Sequence, residues 1–232
     1  MLEHEWWEYE SPAALAEAVA GDLRYILAAA IAEEGRALAV LPGGALAREL
    51  LGRLAAQELD WAAVTVVPSD DVMPAPGHAE SHAATLARLL GPLGATVVPL
   101  TEGGGSSADA AAAARTANAR LQALNWAPHC VLLSVSDEGG VGGLAAGSDL
   151  AAALEAPHLA VPVRARTAAG RPDRVVLSRA ALLAGDAVIL VLRGTAERRM
   201  LERAIADGPS SALPVGRFLA GAEQAMDIHW CP

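Results

Sequence analysis

Cysteine is scarce: Cys130 and Cys231 are the only two in 232 residues. They form neither a metal-ligand spacing nor a disulfide framework, so they read as one buried thiol and one near the chain end. Positive charge is also short, with 17 basic residues against 27 acidic ones and a formal net charge of −10. An acidic surface repels nucleic acid and anionic membranes, which argues against both as partners. An anionic small molecule stays open to it, provided a local cluster of donors exists. Long apolar runs are missing too. The hydrophobic fraction is 53%, but alanine supplies most of it. The most apolar stretch, Ala187-Val188-Ile189-Leu190-Val191-Leu192, falls far short of the ~20 residues of a spanning helix. The opening Met1-Leu2-Glu3-His4-Glu5 carries acids where a secretory leader carries lysine or arginine. A cytoplasmic protein is expected. Internal repeats and linker-like breaks in composition are absent, so residues 1–232 are expected to form a single domain. A chain of this length buries a full core without staples.

What is present centres on residues 130–147. Cys130-Val131-Leu132-Leu133-Ser134-Val135 is an apolar run, followed by Ser136-Asp137-Glu138 and by Gly139-Gly140-Val141-Gly142-Gly143-Leu144-Ala145-Ala146-Gly147. A short hydrophobic run bounded by turn residues reads as a buried strand of a parallel sheet. Open α/β sheets place their ligands outside the carboxyl ends of such strands. Upstream, Ser11-Pro12 supplies an N-cap and a first-turn proline for a long amphipathic helix that stops at Gly35. Ala37 to Leu41 is a second buried strand, and Pro42-Gly43-Gly44 turns into a helix over 45–54. A strand, a Gly-Gly turn and a helix in that order present backbone N–H groups to a phosphate, although such a turn is often nothing more. Val64 to Val67 is a strand ending at Pro68-Ser69-Asp70-Asp71, and Glu80-Ser81-His82 opens a helix to Leu90. A short strand over 96–100, a glycine-serine loop and an alanine-rich helix over 108–124 precede the central run. Beyond it, strands are expected over 159–163, 174–178 and 187–192, a helix from Gly194-Thr195 to about 205, and a closing strand over 226–230. Strands alternating with helices give the fold class: α/β, an open, mostly parallel, Rossmann-like sheet with helices on both faces.

Asp70, Asp71, Asp137 and Glu138 gather at neighbouring strand ends. Carboxylates so placed can hold a hard cation, but no spacing matches a known cation loop, and a solvated acidic rim is the plainer reading. No metal is assigned. His78 and His82 lie just after Asp71, and each reads more plainly as a solvated loop histidine than as a base. His129 and His158 read as partly buried structural residues, and His4 and His229 sit near the termini. Arg164, Arg166, Arg171 and Arg174 form the only basic concentration, with Arg174 the best anion contact. The five tryptophans read as packing residues.

The order of these pieces resembles the 6-phosphogluconolactonase family, relatives of glucosamine-6-phosphate deaminase. The likeness covers nearly the whole chain. It is carried by Gly43-Gly44, Asp60-Trp61, Asp70-Asp71 with the prolines and Ser81 behind them, Leu132-Leu133 running into Glu138-Gly139, Gly147, Arg174-Val175-Val176-Leu177 and Gly194. The resemblance implies hydrolysis of 6-phosphogluconolactone to 6-phosphogluconate in the pentose phosphate pathway, without a metal or other cofactor. It implies a sugar phosphate or sugar acid as the small-molecule partner, a histidine as general base, and basic and hydroxyl side chains around the phosphate. Carried over residue by residue, it puts Asp70, Glu138 and Gly140 at catalytic positions and Gly43, Gly44, Asp71 and Arg174 at substrate-binding ones. The sequence departs from the family pattern at Ala45 and Leu46 (hydroxyl positions), Val72 (an arginine position), Gly140 (the general base) and Glu197 (a lysine position).

A positioned general base contributes ~10²–10⁴ in rate, and a phosphate dianion needs charge-assisted partners. Three readings follow. The first is a hydrolase of this or a related sugar lactone whose base has moved to His78 or His82. The second is a non-catalytic member that binds a sugar acid or a partner protein through the same crevice. The third is a structural subunit. An intact scaffold with several substituted site positions favours relaxed or redirected function, while the family likeness by itself makes the chain a lactonase.

Overall fold

The apolar run 130–134 does form the middle of the sheet. A computed structural model describes residues 4–73, 81–101, 109–147, 149–164 and 173–232, without the side chains of 45–47. Strand β6 (Cys130–Ser134) lies between β9 (Ala187–Arg193) and β2 (Ala37–Leu41). The whole seven-stranded sheet runs β1 (Glu5–Glu8), β10 (Asp227–Cys231), β9, β6, β2, β3 (Val64–Pro68), β5 (Thr96–Val97), and every pairing in it is parallel.

Why these strands read as unbroken hydrophobic runs is clear from their two faces. In β2, Leu38 and Val40 enter one core while Ala37, Ala39 and Leu41 enter the other; β6 and β9 divide their residues in the same way. A strand buried on both faces leaves no position for a polar residue. One core takes Leu15, Leu23 and Leu27 from α1 (Pro12–Glu34), Leu50 and Leu54 from α2 (Ala45–Ala55), and Leu86 and Leu90 from α3 (His82–Leu90). The other is covered by α4 (Ala110–Gln122), α7 (Thr195–Asp207) and α8 (Pro214–Leu219), with Phe218 among its largest buried side chains. Truncating one of these leucines to alanine costs about 2–5 kcal/mol.

The caps expected at the ends of α1 are present. Ser11 Oγ accepts from the Ala14 N–H at 3.2 Å, and Gly35 closes the helix at φ 72 with its N–H on the Ile31 carbonyl. Four of the tryptophans pack against the cores, while Trp7 is exposed. Arg198 of α7 is held between the rings of Trp6 and Trp230, 5.2 and 4.5 Å from their centroids, and pairs with Glu8 and Glu202. This clamp ties the first strand to the last.

Three features depart from the sequence expectation. Asp70 and Asp71 do not simply end β3. With Val72 they form a strand of their own, β4 (Asp70–Val72), in a second, antiparallel sheet with β8 (Arg174–Leu177) and β7 (Ala160–Val163). Carboxylates disfavour a strand unless tertiary partners satisfy them, and those partners come from sequence-distant residues. The stretch after Gly147 holds a short helix, α5 (Leu150–Glu155), and α8 fits between α7 and β10; each of these has only six residues, too few for a periodicity to show. His158, expected to be partly buried, is exposed. The segments 74–80, 102–108 and 165–172, which hold His78, Arg166, Arg171 and the glycine-serine loop, lie outside the described residues.

Candidate active site

Strand order locates the crevice. From β2 the chain moves outward through β3 to β5; from β6 it moves outward the other way, through β9 to β10. The switch point therefore lies between β2 and β6, where an open α/β sheet leaves a gap at its carboxyl edge. The turn at Gly43 and Gly44 follows β2, and the glycine-rich loop follows β6.

That loop is tightly folded. Ser136 N donates to the Gly140 carbonyl at 2.9 Å, Gly140 N donates to Ser136 Oγ at 3.0 Å, and Val141 and Leu144 exchange backbone hydrogen bonds while burying their side chains. Asp137 and Glu138 are exposed at its tip. The return leg presses on the second sheet: a methyl group on Gly143, which also sits at φ 83, would lie 2.5 Å from Asp70 Cβ. Only a glycine allows that approach. Gly140 itself offers no side chain, and a Cβ there would lie 3.0 Å from Ser136 Oγ and 3.1 Å from the Leu144 carbonyl.

The charged centre is built on Asp70. Its carboxylate is nearly buried, with Arg174 Nε donating to Oδ2 at 2.7 Å, Arg174 Nη2 in close ion-pair contact with the same oxygen, and Ser69 Oγ donating to Oδ1 at 3.0 Å. The antiparallel register explains the pairing, since Asp70 opposes Val176 and Val72 opposes Arg174. The ring of His82 completes the cluster. Its Nδ1 lies 3.2 Å from Asp70 Oδ1, off the line of a good hydrogen bond, and its Nε2 lies 3.4 Å from Arg174 Nη2. The side chain is only 18% exposed, so His82 is not the solvated histidine of the plainer reading.

Asp71 has a different task. Val72 N, His82 N, Ala83 N and Ser81 Oγ all donate to its carboxylate, at 2.9, 2.9, 3.2 and 3.2 Å. Ser81 Oγ also accepts from Ala84 N at 3.1 Å as the N-cap of α3. Two residues thus satisfy the orphan donors at the start of α3, and the helix macrodipole favours the negative charge. The result is a fixed first turn, and His82 is its first residue. The His82 ring in turn lies against the glycine turn: a methyl on Gly43 would overlap its Cγ and Cδ2 atoms.

Protonation follows from these contacts. Burial alone would raise the Asp70 carboxyl; Arg174 and His82 outweigh it and hold the group far below the usual carboxylate range. Burial lowers the His82 imidazole and Arg174 pushes it the same way, but the close approach and charge of Asp70, with Asp71 adding, leave it raised above 6.5. A neutral imidazole beside a fixed carboxylate can accept a proton from water. Burial pushes the Cys130 thiol up to about 12, which removes it as a nucleophile.

The other candidates fall elsewhere. His129 Nδ1 accepts from Leu38 N at 2.9 Å, His229 Nδ1 contacts the Tyr9 hydroxyl at 2.9 Å, and His4 Nδ1 accepts from Met226 N at 3.4 Å. Glu197 folds its carboxylate back over Gly194 at the start of α7. Among the described residues no group of three or more His, Cys, Asp or Glu side chains has metal-binding geometry. What the sequence could not show is that Asp70, His82 and Arg174 touch: they are 12 and 92 residues apart along the chain, and they meet only where β4 pairs with β8 and Asp71 holds the start of α3.

A consequence can be measured at the glycine turn. Gly43→Ala drives a methyl into the His82 ring and should displace it from Asp70. His82 should then titrate closer to the ordinary imidazole value, because the charge that raises it has moved away. Histidine proton resonances followed against pH would report this. An unmoved His82 titration would show that the ring does not rest where the contacts place it.

Comparison with known proteins places the crevice in context. Residues 10–230 match the family of glucosamine-6-phosphate isomerases and 6-phosphogluconolactonases. The 6-phosphogluconolactonase of Rhizobium meliloti is 30% identical over 230 residues, covering 97% of each chain. That of Pseudomonas putida is 31% identical over 227 residues, covering 94% of this chain and 89% of the other. In structure, a 6-phosphogluconolactonase from Shewanella baltica superposes with a TM-score of 0.89 at 22% identity, covering 99% of this chain and 98% of its own. A monomeric glucosamine-6-phosphate deaminase superposes at 0.78 with 13% identity and 97% coverage of both. The fold is shared by all of these, and by sequence the chain belongs to the glucosamine-6-phosphate isomerase/6-phosphogluconolactonase family.

Proposed function

We propose that this chain hydrolyses a sugar lactone, with 6-phosphogluconolactone the first substrate to test, and that His82 rather than the glycine at position 140 supplies the general base. The observation that supports it is the Asp70–His82–Arg174 cluster, set between Gly43 and Gly143 at the switch point of the sheet. In this reading Asp70 holds the Nδ1 side of the imidazole and Nε2 takes a proton from water. The water oxygen bonds to the lactone carbonyl carbon, the ring C–O bond breaks, and the proton passes to the departing oxygen to give the open sugar acid. The Arg174 guanidinium, spending Nε and Nη2 on Asp70, has Nη1 to offer an anionic group of the substrate. Its 3.4 Å contact with Nε2 is at the weak end for a hydrogen bond, so water can compete for the lone pair. A cytoplasmic metabolite fits such a site, and no metal is required by the chemistry.

The test is lactone hydrolysis by the wild-type protein against the spontaneous rate in the same buffer, which is appreciable for this substrate class. Turnover above the buffer rate is expected. A rate equal to buffer would remove the enzymatic reading. A second reading, binding of the sugar acid without turnover, is favoured by the bare Gly140 position; it would then stand only if 6-phosphogluconate gave heat on titration.

A further inference from the structure

A second concavity lies beside α8, away from the Asp70–His82–Arg174 cluster. The chain contains no lysine, so all 17 of its cationic side chains are arginines. Arg36, Arg53, Arg115, Arg174, Arg193 and Arg198 each lie within 4.0 Å of a carboxylate. Arg179, at the start of α6 (Arg179–Leu183), and Arg217 of α8 do not among the described residues, although both are partly buried. Both donate to backbone carbonyls. Arg179 Nη1 donates to the Arg217 carbonyl at 3.2 Å, and Arg217 Nε donates to the Ser211 carbonyl at 2.8 Å.

These anchors fix two guanidinium groups along the walls of one groove. Arg179 lies against Gly221, where a methyl would come within 2.8 Å of its Cζ and Nε. The groove encloses about 280 Å³ between α5, α6 and α8, close to the lower end for small-molecule sites. Besides the two arginines, its wall is Ala151, Leu154, Pro209 and Ala220, with Glu155 as the one acid, unpaired with either arginine among the described residues. On a chain of net charge −10, this is a local excess of positive charge in an open, half-polar concavity. The planar fork of arginine suits oxygens of a carboxylate or a phosphate, and a guanidinium held by one carbonyl keeps its other N–H groups for such a ligand.

We propose that this groove is a second ligand site, taking a small organic anion whose carboxylate or phosphate oxygens are held by Arg179 and Arg217 and whose apolar part lies on Leu154 and Pro209. It is separate from the crevice. Val215, near the first turn of α8, donates to the Gly139 carbonyl at 2.9 Å beside the crevice, whereas Arg217 and Ala220 bear the groove on the same helix.

Calorimetric titration at low ionic strength with phenyl phosphate, inorganic phosphate and butyrate tests it on the full chain. Phenyl phosphate is expected to bind, and the double variant Arg179→Gln/Arg217→Gln should weaken it at least tenfold. Ala151→Trp fills the groove while leaving both guanidinium groups in place, so it should abolish the same heat even if the double variant folds poorly. Arg174→Gln, in the crevice, should leave in place the heat that Ala151→Trp removes. Stronger binding of phosphate than of butyrate would identify a phosphate ester as the ligand, and the reverse a carboxylate. Heat that survives Ala151→Trp but disappears in Arg174→Gln would place the anion in the crevice and overturn the proposal, as would the absence of heat with all three probes.

Discussion

Arg174→Met is expected to destabilise the protein by about 3 kcal/mol at neutral pH, the low end of what breaking a buried ion pair costs. Asp70 is 5% exposed and keeps only Ser69 and His82 once the guanidinium is gone. The pH dependence identifies the cause. In the wild type the folded-state value of Asp70 lies below its ordinary 3.8, so its pairing stabilises fully above that value and fades as pH falls toward the folded-state one. In the variant, burial is no longer offset by Arg174 and the carboxyl shifts upward. His82 gains, because Arg174 no longer opposes its protonation. A histidine raised on folding stabilises below its unfolded value near 6.5 and loses that contribution as pH rises through the folded value. Protonated His82 therefore stands in for the missing cation below its folded-state value but not above it. Urea unfolding should show a larger penalty above that value than below it. An equal penalty at both, or one under about 1 kcal/mol, would mean that Asp70 does not depend on Arg174 as a buried charge does.

The contrast between what the sequence disclosed and what it hid follows the range of the interactions. Strands β2, β6 and β9 were legible because burial on both faces forces a continuous apolar run. The helix start at Ser11-Pro12 was legible because capping acts within one turn. In the second sheet β7 and β8 were legible as strands over 159–163 and 174–178, but their antiparallel pairing was not, and the edge strand β4, with two buried aspartates, reads as polar until Arg174 is present. His82 was hidden for the same reason. Nothing near it in sequence says that Asp70 turns back toward it, or that Gly43 leaves room for its ring. The one local clue was Asp71 followed ten residues later by Ser81, an acid and a hydroxyl that close on the same helix start. Asp71, a substrate-binding position by resemblance, has its carboxylate taken up by four donors of its own chain.

His82→Gln is expected to lower lactone hydrolysis, measured above the spontaneous rate, by about 10²–10⁴, the usual worth of a positioned general base. Glutamine keeps a polar group of similar reach against Asp70, so the loss should appear without a comparable loss of stability. The pH profile separates a base from a merely structural ring. In the wild type kcat/KM should rise with pH through an inflection above 6.5, because the raised imidazole must first release its proton. The variant's residual activity should lack that inflection. Asp70→Asn supplies the signed control. It removes the charge that raises His82 while burial still lowers it, so the inflection should move to lower pH while some activity remains. Full activity in His82→Gln, or a profile in Asp70→Asn that stays where the wild type has it, would take the base away from His82 and leave the crevice of this chain as a binding site.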